Sequence, residues 1–261
     1  MWELLLPVIG FLIGAVATLA GVGGGVFIVP LLTIAFSFSP SYAVGTSLTA
    51  IIFTAVAASV GYSWQKRILY KAGLLLAVLT VPGAFLGAYL TAILPAALLG
   101  LIFGVFLILV AVQMLAEDSV FRKNGKKGAS FVTSEAELFA YRKRLASGVL
   151  LAFFGGLASG MLGIGGGAVL VPIMVLILLM PIHLAVATSM FTMILTSLSG
   201  VVQHYALGHV NFEFALLLAV GSVLGAQLGA YASKRLSGKN LHRIFAVVLL
   251  IVSVQIIIKF I

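Results

Sequence analysis

The chain contains no cysteine, which excludes disulfides, thiolate metal sites, c-type haem and cysteine-held iron–sulfur clusters, and with them most redox work. Charge is scarce too: only 8% of the 261 residues are Asp, Glu, Lys or Arg, and six of these are acidic. None lies well inside a long apolar run; Glu213, the nearest, stands at the start of one. Pumps and proton-coupled carriers usually bury an ionisable group, so a carboxylate relay is disfavoured, and a divalent cation finds too few oxygen ligands. HExxH, GxSxG and an intramembrane Asp pair are all missing, which leaves a membrane-embedded enzyme without its chemistry. The start, Met1-Trp2-Glu3, lacks the basic n-region of a signal peptide and is read as part of the mature fold.

What is present is apolar: 62% hydrophobic residues and a mean hydropathy of +1.27. That leaves too little polar surface to coat a soluble globule, so the expectation is a bilayer protein. Two glycine-rich stretches, GVGGGVFIVP from Gly21 to Pro30 and GIGGGAVLVP from Gly163 to Pro172, each interrupt an apolar run. The offset of 142 between them also pairs Gly14 with Gly156, Thr46-Ser47 with Thr188-Ser189, Gly83 with Gly225, Gly87 with Gly229 and Tyr89 with Tyr231. An ungapped match of that length is a duplication. Each copy holds about five apolar segments, in residues 1–116 and 145–261, joined by a basic linker, 117–144. The segments flanking each glycine run are shorter than the roughly 20 residues of a spanning helix, as expected of half-helices or hairpin arms. The alternative is a pair of ordinary buried helices with a tight turn.

Basic residues orient the chain. All fifteen Lys and Arg except Lys259 fall in three clusters: Lys66, Arg67 and Lys71; Arg122 to Arg144; and Lys234, Arg235, Lys239 and Arg243. Basic loops stay in the cytoplasm. The first cluster follows the third segment of its half, whereas the last follows the fourth segment of its own, so equivalent loops face opposite sides. The expected fold is therefore an all-α polytopic membrane protein of two inverted-topology repeats, its glycine-broken hairpins meeting near midplane and both termini extracytoplasmic. A competing eight-helix arrangement, with each glycine pair inside one broken span, makes the repeats parallel and strands one basic cluster outside. The linker serves as a cytoplasmic topology anchor or as a contact for anionic lipid headgroups. No basic and aromatic surface for nucleic acid exists outside these loops.

GIGGGA fits GxGxxA without a strand before it, and GVGGG lacks the GK[ST] of a phosphate loop, so no nucleotide cofactor is expected. The better reading is an anion cradle. Gly23, Gly24, Gly25, Gly165, Gly166 and Gly167 free successive N–H groups, and the helices that follow add positive dipole ends. The other reading of these glycines is close helix packing, which suits the spaced pairs Gly83/Gly87 and Gly225/Gly229 better. Thr46, Ser47, Thr188 and Ser189 are candidate hydroxyl donors to an oxyanion, or else back-bond to their own helices. Gln203 and His204 are candidate gate residues, set against Gly61 and Tyr62 in the first half. No metal ligand set is expected.

The duplicated G-[VI]-G-G-G-x-x-[IL]-V-P motif, the two equivalent halves and the basic linker resemble the TauE/SafE family of sulfite and organosulfonate transporters over essentially the whole chain. The resemblance implies an inner-membrane carrier of sulfite, sulfoacetate or related anions, with its site on Gly23 to Gly25 and Gly165 to Gly167 and with Pro30 and Pro172 as supporting structure. The expected activity is secondary transport, directed outward, of a small sulfur oxyanion by alternating access. An anion channel and a non-transporting membrane scaffold stand as alternatives.

Overall fold

The computed structural model describes residues 5–95 and 142–236, with scattered positions between 97 and 140 and between 240 and 258. The fifth apolar segment of each half and linker residues 117–132 therefore fall largely or wholly outside the described residues. Within them the chain is helical without strands: α1 (Leu6–Ala20), α2 (Gly25–Ala35), α3 (Pro40–Trp64), α4 (Tyr70–Leu90), α5 (Arg142–Leu162), α6 (Gly167–Pro172, running on into a π-helical stretch Ile173–Ile177), α7 (Ile182–Ala206) and α8 (Phe212–Ser233). Helices α3, α4, α5, α7 and α8 are long and apolar enough to cross a membrane.

Local chemistry sets the ends. Pro40 opens α3, where its missing N–H is an orphan in any case. Asn211 caps α8, its Oδ1 accepting from the Phe214 N–H at 3.1 Å. Gly21 closes α1 in the left-handed region at φ 73°, so that its N–H reaches the Thr18 carbonyl and the Val22 N–H reaches Ala17.

After each glycine loop the chain folds back on itself. Leu6 of α1 clusters with Ile28 and Leu32 of α2; Gly148 of α5 faces Leu178, while Gly155 faces Val169. Both pairs are thus helical hairpins, and α5, at 21 residues, is longer than the short arm expected from the sequence because its helix begins before Leu145, in the basic linker. The contacts also fix the helix directions. Gly10 and Gly14 of α1 lie on Leu218 and Ser222 of α8, and Thr54 and Ala57 of α3 bond Ser222 and Gln227, so α1, α3 and α8 run parallel. Helices α4, α5 and α7 form a second parallel set, with Gly156 and Gly160 on Thr80 and Ala84, and Thr80 on Thr196. Gly45 against His204 and Leu48 against Gly200 make α3 antiparallel to α7.

Glycine permits these approaches. A Cβ on Gly221 would strike the Pro7 carbonyl, and one on Gly156 the Thr80 carbonyl. Association of apolar helices inside a bilayer depends on such close van der Waals packing.

The helix directions carry the charges to one end. Lys66, Arg67 and Lys71, the start of α5 at Arg142, and Lys234 and Arg235 share the end where α3 and α8 finish; there Arg67 Nη1 donates to Ser233 Oγ at 3.5 Å. Exposed Trp64, Tyr70 and Tyr231 ring this end, and exposed Tyr89, Tyr205 and Phe212 ring the other. Between them the flanks present Leu74, Val78, Leu150, Phe154, Val220 and Leu224. Apolar flanks between aromatic girdles are the surface a bilayer requires. From Phe212 to Tyr231, α8 spans roughly 29 Å at a rise of about 1.5 Å per residue, which matches a hydrocarbon core of about 30 Å. In the linker, Ser134 Oγ accepts from the Glu137 N–H and the Glu137 carboxylate accepts from the Ser134 N–H, a capping box at a helix start.

Candidate functional site where the glycine loops cross

The two loops cross in the middle of the bundle, beside Ile51 of α3 and Met193 of α7. Gly21, Gly23 and Gly24 have φ of 73°, 80° and 91°, and Gly163, Gly165 and Gly166 repeat these at 70°, 76° and 86°. Three left-handed residues in four turn the chain back within a few ångströms, and only glycine adopts that geometry cheaply. Gly25 and Gly167 are helical and glycine for another reason. A Cβ on Gly25 would overlap the Gly163 carbonyl oxygen, and one on Gly167 the Gly21 carbonyl oxygen.

Serines fasten this crossing reciprocally. Ser47 Oγ donates to the Gly163 carbonyl at 2.8 Å, and Ser189 Oγ donates to the Gly21 carbonyl at 2.8 Å. Thr46 Oγ1 donates to the Tyr42 carbonyl at 2.7 Å and accepts from the Asn211 N–H at 3.0 Å; its counterpart Thr188 Oγ1 accepts from the Leu69 N–H at 3.1 Å. The structure thus places Ser47 and Ser189 at the loops with their protons already committed, and Thr46 and Thr188 inside α3 and α7, where they hold the residues that precede α8 and α4. A hydroxyl has one proton to give, so in this arrangement neither serine donates to an anion.

The backbone N–H groups are free by contrast. Those of Gly23, Gly24, Gly25 and Val26, and of Gly165, Gly166, Gly167 and Ala168, find no acceptor among the described residues, although all eight residues are buried. Buried N–H groups are almost always paired, so eight without partners at one crossing form a concentrated unmet donor capacity.

His204 is fully buried, with Nε2 2.8 Å from the Gly160 carbonyl. A carbonyl only accepts, so Nε2 carries the proton. Tyr62, its counterpart, donates from its hydroxyl to the Thr18 carbonyl at 2.9 Å. The two residues that looked unrelated in sequence do the same work: each ties the end of a hairpin's first arm to a long helix. Gln203, the other candidate gate residue, is half-buried near the non-basic end. His209, in the loop beyond α7, has its ring centroid 5.7 Å from that of His204, and partial burial holds its imidazole below the usual range.

Pro30 lies inside α2, where the Thr33 hydroxyl bonds the Val29 carbonyl; Pro172 stands where α6 loosens into its π-helical stretch. A proline has no N–H to give, which accounts for the weakened ladder there. Among the described residues no three His, Cys, Asp or Glu side chains converge as metal ligands would.

A model of the family described as sulfite exporter TauE/SafE matches residues 6–256. The chain belongs to the TauE/SafE family. The probable membrane transporter protein YunE of Bacillus subtilis (strain 168) is 36% identical over 97% of this chain and 96% of its own length. A probable membrane transporter protein of Methanocaldococcus jannaschii is 26% identical over 91% of this chain and 89% of its own, and one of Xylella fastidiosa (strain Temecula1) is 27% identical over 95% and 92%. No solved structure matches the chain. In this TauE/SafE member the matched region holds both glycine loops and every helix named above.

Sequence reasoning missed Met193, Ser197 and Ser159, which stand against the loops. A signal existed: each differs in kind from the residue 142 positions earlier, Ile51, Ala55 and Ala17 respectively.

Proposed function

We propose that this chain is a secondary transporter that carries a small sulfur oxyanion, sulfite or an organosulfonate, through the point where the two glycine loops cross. The observation that carries this reading is the group of eight buried, unpartnered N–H groups at the crossing. N–H groups in successive left-handed and helical residues form anion-binding concavities, and the 11-residue α2 adds the positive end of its dipole. The family, described as sulfite exporters, supplies the sulfur anion.

The antiparallel packing of α3 on its counterpart α7 supports inverted-topology repeats, and the gathering of basic residues at one end supports a cytoplasmic location for that end. Alternating access then has a physical basis. The bonds Ser47 to Gly163 and Ser189 to Gly21 are equivalents, both formed here, and the loops are buried from both ends. Releasing one bond while keeping the other opens the crossing toward one side, and exchanging the two opens it toward the other. Export needs no coupled ion, because an inside-negative potential favours exit of an anion by about 2.3 kcal/mol per charge per 100 mV.

Flux of radiolabelled sulfite and sulfoacetate in proteoliposomes, with an imposed potential and with sulfate and chloride beside them, tests the reading. The expected result is saturable, potential-driven movement with counterflow. Large conductance without counterflow points instead to a channel, and no flux of any anion by folded protein overturns the transport reading. Orientation is checked by single cysteines at Lys66 and Gly208, in a chain otherwise free of thiols, with a membrane-impermeant maleimide on intact cells; labelling at Lys66 alone overturns the assignment.

A further inference from the structure

The two halves share a backbone but not a polarity where the loops cross. Ser159 and Ser197 are both fully buried, and the hydroxyl of each has no hydrogen-bond partner. Both stand against the second loop: Ser197 Oγ is 3.4 Å from where a Cβ on Gly165 would sit, and the Ser159 Cβ is 3.5 Å from the same point on Gly166. The equivalent places beside the first loop are occupied by Ala17 and Ala55. Many serines and threonines elsewhere in the bundle satisfy themselves, as Thr49 does on Gly45, Thr192 on Thr188 and Ser222 on Ala219; Thr18 and Ser59 do not, but neither is among the nearest neighbours of Gly23 to Gly25 or Gly165 to Gly167. A buried hydroxyl left without a partner is destabilising, and the first half packs its alanines in the same surroundings without that cost.

Met193 covers this polar spot. Its methyl group lies against both Gly23 and Gly165, and its sulfur is 2.6 Å from where a Cβ on Gly167 would be. Methionine is unbranched and turns about three side-chain bonds, so it can leave a site that the branched Ile51 in the other half cannot.

Resting on the transport reading above, we propose that the second loop is the one that holds the substrate: the Ser159 and Ser197 hydroxyls donate to oxygens of the anion, the N–H groups of Gly165 to Gly167 take the remaining charge, and Met193 is the cover that withdraws to admit it. The first loop faces the site with N–H groups alone, its neighbours Ala17 and Ala55 having no hydroxyl to add. The halves are then unequal in binding although equal in fold.

The test uses the full chain in proteoliposomes with radiolabelled sulfite. Ser159→Ala and Ser197→Ala each install the residue that the first half already carries, so folding is expected to survive and the melting temperature to hold or rise. Each is expected to raise KM roughly tenfold to a hundredfold, as for loss of a hydrogen bond to a charged group. In a second measurement the Ser197→Cys variant, the chain's sole thiol, reacts with a maleimide more slowly when sulfoacetate is present. Saturable wild-type flux with unchanged KM in both alanine variants overturns this inference and leaves the transport reading standing, as does a thiol at position 197 that sulfoacetate fails to protect. Absence of wild-type flux for sulfite and sulfoacetate overturns both.

Discussion

Gly25→Ala should be far more damaging than its helical backbone suggests. Position 25 has no positive φ to strain, and alanine is the better helix former, so an isolated helix would gain. The crossing reverses the sign. The new Cβ overlaps the Gly163 carbonyl oxygen and comes within 2.7 Å of both Ile164 Cα and Ile51 Cδ1. Backbone cannot rotate away as a side chain can, so the loops must separate, at about 1–3 kcal/mol for overpacking. Separation also pulls the Gly163 carbonyl from Ser47, now at 2.8 Å, and a buried bond lost on one side costs about 1–2 kcal/mol more. A total of about 3 kcal/mol corresponds to a fall in Tm of roughly 6–12 °C for a chain of this size. The assay is thermal unfolding in detergent by intrinsic fluorescence, with Gly208→Ala as reference. Gly208 has φ 73° with nothing within 4 Å, so alanine there meets only the left-handed penalty of about 1–2 kcal/mol. A Gly25→Ala protein as stable as the Gly208→Ala protein refutes the reasoning. So does strict additivity of Gly25→Ala with Ser47→Ala, since both act on one carbonyl and should couple.

Other outcomes follow from the same contacts. His204→Ala removes the tether to Gly160 and leaves a cavity, and is expected to lose about 2–4 kcal/mol in the same unfolding assay. Thr80→Val breaks the 2.8 Å bond to Thr196 yet should cost only about 0.6 kcal/mol, the average for interhelical bonds in membranes; a loss above about 2 kcal/mol would contradict this. Partial burial lowers the His209 pKa from 6.5, so protons favour the unfolded chain: its contribution is complete above that value and declines as pH falls toward the folded pKa. Melting temperatures between pH 8 and pH 5 should fall, and His209→Gln should reduce the slope. Met193→Ala, which removes the cover, is expected to widen the range of anions that compete for sulfite flux, and competition identical to wild type would count against its role.

The hairpins were legible because three glycines in succession break a helix inside an apolar run, and the repeat was legible because Thr46-Ser47 and Thr188-Ser189 kept their spacing. What those hydroxyls do was not. Ser47 meets Gly163 across 116 residues of chain, and no local pattern announces such a partner; the serines proved to be fasteners of the opposite loop. The equivalence of Tyr62 and His204 was hidden for the opposite reason: two unlike side chains reach equivalent carbonyls, those of Thr18 and Gly160, and similarity of residue type is a poor guide to similarity of reach. Ser159 and Ser197 were overlooked because a lone serine in a helix is usually self-satisfied. Burial without a partner, joined to a place against the second loop and to an alanine at each equivalent position, set them apart.

The reciprocal fastening also governs how the protein must be made. The first hairpin's tip is locked by Ser189, which lies 168 residues downstream of Gly21. At roughly 5–20 residues per second, on the order of 10–30 s of synthesis separates the two. During that interval a short apolar hairpin, its Gly21 carbonyl still without Ser189, has no native partner, and lipid cannot supply one. The first half therefore waits in the membrane incomplete, and a chain truncated after the linker should be recognised as unfinished by the machinery that inserts and degrades membrane proteins.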